Sequence, residues 1–103
     1  MLNVVDAQRF KTAIGFAMKA GKVCSGEFSV ERAIKSCTAK LVAIDSTASE
    51  QSRKRWQDAC KFAGIPCVEA EEVGMAIGKE THIVACIVES GFAQMALRAC
   101  DNI

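Results

Sequence analysis

Three residues on one stretch of this chain carry the chemistry most easily read from it. Val30, Ala33, Ile34 and Cys37 fall at i, i+3, i+4 and i+7, the spacing of a core-facing helical stripe. The 3.6-residue period puts Phe28, Arg32 and Lys35 on the opposite side of that helix. An aromatic ring and two cations thus share an outward face beside a helix start, whose free backbone N–H groups attract anions. Ser25 is the expected N-cap, since its hydroxyl can satisfy an orphan N–H, and Ser25-Gly26-Glu27 forms the tight entry. Exposed cations and a single exposed phenyl ring are ordinary on any surface. Their placement together is what makes this face the candidate site.

Other chemistries are not written in the sequence. There is no GxxxxGK[ST], GxGxxG or GxSxG, and no Cys has a His partner nearby. Glu71 and Glu72 are adjacent and face different directions on a helix, so they make no acid/base pair. Catalysis is not expected. The six cysteines (Cys24, Cys37, Cys60, Cys67, Cys86, Cys100) stand singly among apolar neighbours without a CxxC pair. They read as small buried hydrophobes, and no metal or cofactor is expected. His82, the one histidine, stands at a strand start without companion ligands and receives no chemistry. With 13 basic and 12 acidic side chains the net charge is +1, so any nucleic-acid site has to be a local patch. No stretch has the apolar length of a signal peptide or a membrane span, which predicts a cytoplasmic protein.

The elements that must position the face follow from pattern and punctuation. Asp6 is the expected cap of a first helix, with Val5 and Phe10 as a hydrophobic staple, a stripe of Phe10, Ala13, Ile14 and Ala17, and Gly21 at C′. Val23-Cys24 is a short strand before the helix described above. Residues 40–45 form an apolar run of the kind buried on both faces of a sheet. A third helix starts at Thr47 or Ser49, buries Trp56, Ala59, Cys60 and Ala63, and ends at Gly64. Arg53, Lys54 and Arg55 read as its solvated face. Pro66-Cys67-Val68 begins a brief strand at an edge or entry position. Residues 71–77 form a short helix with Val73, Ala76 and Ile77 inward, weakened by Gly74. Residues 82–88 form a central strand, and Glu89-Ser90-Gly91 leads into a last helix that buries Phe92, Met95, Ala96 and Ala99. The alternation predicts one domain over residues 1–103, a three-layer α/β/α sandwich around a small mixed sheet of about four strands. The loops at residues 25–27, 45–47 and 89–91, where strands feed into helices, are expected to converge on the ligand side.

Phe16-Ala-Met-Lys-Ala-Gly-Lys-Val, Ser25-Gly-Glu, Arg32-Ala-Ile-Lys-Ser, Ala39-Lys-Leu-Val, Ala76-Ile-Gly-Lys and the segment from Val84 to Phe92 together resemble the bacterial YlxQ-type ribosomal proteins. These belong with the archaeal and eukaryotic ribosomal proteins L-seven-Ae and L-thirty-e. The match covers nearly the whole chain in order and spacing. The resemblance implies a non-catalytic, ribosome- or translation-associated protein that binds kink-turns, sharply bent RNA elements built on sheared G·A pairs. It implies an RNA surface of Ser25, Gly26, Glu27, Phe28, Ser29, Arg32 and Lys35, together with Ile87, Val88, Glu89, Ser90 and Gly91. Irregular RNA offers phosphates to cations and helix starts, and splayed bases to aromatics. The tight kink-turn binders of that family carry Asn and Glu where this chain has Phe28 and Ser29, which removes two hydrogen-bonding groups that read guanine edges. Two alternatives stay open: on that account, a protein-interaction module gripping its partner, for instance a ribosome-associated protein, through Phe28; and, on the anion affinity of helix starts alone, a small-molecule or phosphate-binding domain with at most weak enzymatic activity. A monomer is expected.

Overall fold

The computed structural model describes residues 1–100. In chain order the elements are β1 (Leu2–Asn3), α1 (Ala7–Lys19), β2 (Val23–Ser25), α2 (Glu27–Lys35), β3 (Leu41–Asp45), α3 (Glu50–Ala63), β4 (Cys67–Ala70), α4 (Val73–Ala76), β5 (Val84–Ile87) and α5 (Ser90–Leu97). The sheet order is β1-β4-β3-β5-β2. β1, β4 and β3 run parallel, while β5 is antiparallel to both β3 and β2. The sheet therefore has five strands rather than about four. β1 is only two residues long, too short for alternation to mark it, and it exists because Leu2 and Asn3 pair with Val68 and Glu69.

Every residue of β3 is buried, and its alternation divides the interior in two. Leu41 and Ala43 face a core with Phe10, Ala13, Ile14 and Ala17 of α1, Val73 of α4, and Ala93 and Ala96 of α5. Val42 and Ile44 face a second core with Val30, Ala33 and Ile34 of α2 and Trp56 and Cys60 of α3. Helices cover both faces, giving the three-layer sandwich. No helix among the described residues is long and apolar enough to cross a membrane.

Local chemistry decides the ends. Asp6 caps α1 by accepting from the Arg9 N–H at 3.0 Å. The staple does not form, because Val5 is exposed while Phe10 is buried; the Val5 and Asp6 N–H groups bond instead to Ala99 O. Of the two caps open for α3, Ser49 is used, accepting from Ser52 N at 3.1 Å. Ala63 is exposed and Ala59 only half-buried, so the α3 stripe is narrower than its spacing suggests. In α5, Ala93 is buried and Phe92 and Met95 are only half-buried, and the Glu89 carboxylate caps the helix by accepting from Phe92 N at 2.8 Å. Cys37 lies outside α2 in the left-handed region at φ 64°, exposed, and is not part of the core stripe. Pro66 is an entry residue and not an edge marker, since β4 pairs on both sides.

Gly74 is a packing requirement rather than a weakness. A Cβ there would collide with Lys79 O and lie 2.7 Å from His82 O, so the chain between α4 and β5 is folded directly against it. Lys79 N donates to Gly74 O at 2.7 Å, and His82 N to Lys79 O at 2.8 Å. These bonds hold residues 78–83 as a compact loop.

Candidate nucleic-acid interface

Gly26 opens α2 with φ 87° and ψ 155°, a backbone conformation essentially restricted to glycine. Ser25 is not the N-cap. It is the last residue of β2, and its Oγ lies 2.8 Å from His82 Nδ1. With its hydroxyl engaged there, α2 begins without any side-chain cap, whereas α1, α3 and α5 are capped by Asp6, Ser49 and Glu89. The first intrahelical bond runs from Val30 N to Gly26 O. The N–H groups of Glu27, Phe28 and Ser29 precede it and face out at the positive end of the helix dipole.

The side chains of this first turn stand as their spacing requires. Phe28 is 76% exposed, and the Arg32 guanidinium carbon lies 5.3 Å from its ring centroid. That contact orders both groups without burying either. Ser29, Arg32 and Lys35 are exposed as well. Glu27 is held at 2.9 Å by Arg55 of α3, which also reaches Glu31 at 3.4 Å and lies 4.5 Å from the Trp56 ring centroid. Arg55 thereby offsets the two carboxylates of α2 that would otherwise oppose an incoming phosphate. The basic run of α3 does not act as one patch: Arg53 pairs with Glu69 and Lys54 with Asp58.

The second half of the expected surface lies elsewhere. Gly26 N donates to Val84 O and Val88 N donates to Lys22 O, so the antiparallel register puts Gly26 and Val88 at opposite ends of β5. Four residue steps separate them, about 14 Å. Ile87 is fully buried, Val88 and Glu89 are half-buried, and the Glu89 carboxylate caps α5. Ile87, Val88, Glu89, Ser90 and Gly91 therefore do not join Gly26 and Phe28 in one surface. Convergence of strand-to-helix loops belongs to parallel strands, and β5 runs the other way. The loops at residues 25–27 and 45–47 do share an edge, where Asp45 N donates to Ile83 O.

What stands beside the start of α2 is the segment entering β5. Gly26, Glu27, Thr81, His82 and Ile83 line one shallow depression, and the His82 ring packs over Gly26. Nothing in the hydropathy pattern marked this loop; the one available sign was a histidine just before an apolar strand. On the far side of the loop, Asp45, Glu71, Glu72 and Glu80 line an adjoining depression of negative sign. Asp45 is buried and keeps its charge: burial raises its pKa, but hydrogen bonds from Thr47 N, Thr47 Oγ1 and Val73 N more than offset this and hold it below the ordinary carboxylate value.

Known proteins share this sequence pattern and this fold. The ribosomal protein L7Ae/L30e/S12e/Gadd45 family matches residues 8–96. The chain is 34% identical over 91 residues to the RNA-binding protein YlxQ of Bacillus subtilis, covering 85% of this chain and 91% of that one. It is 33% identical over 96 residues to the RNA-binding protein YlxQ of Enterococcus faecium, covering 90% and 92%. Among solved structures, a Bacillus halodurans protein of unknown function superposes with a TM-score of 0.81 at 26% identity, over 88% of this chain and 95% of that one. The Giardia lamblia 15.5kD RNA binding protein shares the fold, with a TM-score of 0.73 at 18% identity, over 89% and 85%.

Proposed function

The chain belongs to the ribosomal protein L7Ae/L30e/S12e/Gadd45 family, and from that membership we propose that it is a non-catalytic, monomeric, cytoplasmic protein that binds structured, kink-turn-like RNA associated with the ribosome or translation. Its RNA surface is the first turns of α2 together with the 78–83 loop. The observation that carries this reading is the pairing of a 76% exposed Phe28 with Arg32 next to an uncapped helix start.

Each part has a physical task. The open N–H groups of the first turn and the cations Arg32 and Lys35 attract phosphate. Phe28 gives an unpaired base a face on which to stack, worth about 1–3 kcal/mol in single-strand binding. Gly26 takes the positive-φ turn into α2 and leaves room for the His82 ring, on which a side chain there would press. Because Phe28 and Ser29 replace Asn and Glu of the tight kink-turn binders, recognition rests on stacking and phosphate contacts more than on guanine edges. Two base-reading contacts are worth about 1–3 kcal/mol each, so affinity for a generic kink-turn is below that of those binders.

The test is a titration of labelled RNAs, a kink-turn hairpin with tandem G·A pairs and a plain duplex of equal length, at two salt concentrations. The hairpin should bind more tightly, and its affinity should fall steeply with salt. Absence of micromolar binding at low salt contradicts the proposal and favours a protein-interaction module built on Phe28.

A further inference from the structure

Ser25, at the end of β2, and His82, in the loop that enters β5, meet beside the start of α2. His82 Nδ1 is 2.8 Å from Ser25 Oγ, and a Cβ on Gly26 would come within 3.4 Å of His82 Cε1. Both partners are fixed by backbone: Ser25 by its register with Ala85, His82 by its N–H bond to Lys79 O. The imidazole is half-buried and lines the depression shared with Glu27 and Thr81. Its Nε2 has no hydrogen-bond partner among the described residues.

We infer that His82, positioned by Ser25, is a pH-responsive phosphate contact of the RNA surface; this rests on the RNA-binding reading above. A hydroxyl can both donate and accept, so Ser25 holds the ring in either protonation state. With the ring neutral, Ser25 Oγ–H donates to Nδ1 and the proton stays on Nε2. When the ring gains a second proton, Nδ1–H donates to Ser25 Oγ, and Nε2–H bears part of a positive charge. A phosphate oxygen in the depression then accepts a charge-assisted hydrogen bond and stabilises the protonated ring. RNA binding takes up a proton.

The charges around the ring leave room for this. Glu27 of α2 is held by Arg55 of α3. Asp45 at the end of β3 is engaged by Thr47 and Val73. α4 presents the backbone of Gly74, and Glu72 at its start is paired with Lys11 of α1. The loop itself carries Lys79 and Glu80, of opposite sign.

The experiment titrates a fluorescein-labelled kink-turn hairpin with the unsubstituted chain, His82→Gln and Ser25→Ala from pH 8 to 5.5 at fixed salt, with thermal melts to establish folding. Proton uptake on binding should tighten the unsubstituted complex about sevenfold over that range. His82→Gln should show no such tightening, and Ser25→Ala a smaller one. A pH profile of His82→Gln equal to that of the unsubstituted chain overturns the inference and leaves RNA binding intact. No binding by the unsubstituted chain at any pH overturns both.

Discussion

Replacing Gly74 by alanine should destabilise this protein, against the usual rule for helices. In an open helix interior Gly→Ala is worth about 1 kcal/mol of stability. At Gly74 the new methyl group collides with Lys79 O and meets His82 O at 2.7 Å, both backbone atoms that no rotamer change can move away. Relief requires displacing the 78–83 loop and losing the Lys79 N to Gly74 O bond. Overpacking of this kind costs about 1–3 kcal/mol. With the helical gain subtracted from the upper part of that range plus the lost bond, the net loss is about 2 kcal/mol. For a domain of this size that lowers Tm by about 10 °C. Gly15, midway along α1, is the internal control, because a methyl group added there would meet nothing within 4 Å. Gly15→Ala should raise Tm by about 5 °C, from about 1 kcal/mol of helical gain. Thermal unfolding of the two variants by circular dichroism decides the matter. A Gly74→Ala protein as stable as Gly15→Ala would refute the claim that the loop backbone packs directly against α4 at this position.

Phe28→Ala should leave stability within about 0.5 kcal/mol, because the ring is exposed, yet weaken hairpin binding by about 1–3 kcal/mol in the RNA titration. Arg32→Ala and Lys35→Ala should each reduce the slope of log affinity against log salt by about one. The lowered pKa of Asp45 means that its contribution to stability is present above the unfolded-state value of about 3.9 and is lost as pH falls through the lower folded-state value. Asp45→Asn should therefore flatten the acid limb of stability measured by urea unfolding between pH 6 and 2.5, and lower stability at neutral pH by about 2 kcal/mol through weakened bonds to Thr47 and Val73. Native-state alkylation with iodoacetamide followed by mass spectrometry should modify exposed Cys37 first. Cys86 should react only on unfolding, since burial and the neighbouring Cys24 push its thiol up to about 12.

The layer architecture was legible because each major helix carries a stripe of small and aliphatic residues, and because β3 is apolar throughout. Phe10, Ala13, Ile14 and Ala17 are all buried as their spacing requires. The outward set of Phe28, Arg32 and Lys35 was legible for the same reason: periodicity fixes the side of a helix that a residue occupies. Which elements meet across the sheet was not. Strand direction is a tertiary property that the apolar pattern of residues 82–88 does not encode, and the direction of β5 decides whether its entry or its exit stands beside Gly26. Ser25 shows the same limit at the scale of one hydroxyl. Serine before a helix is a good cap in isolation, but His82, 57 residues away, offered its ring nitrogen instead. Gly74 looked like a flaw because the propensity scale knows nothing of Lys79 O.

Amide chemical-shift mapping with the kink-turn hairpin tests the proposed surface most directly. Titrating RNA into the isotope-labelled protein should move the resonances of residues 26–35 and 78–83, with those of 87–91 nearly still. Shifts concentrated at 87–91, or at the exposed face of α1, with 26–35 unmoved, would contradict the account.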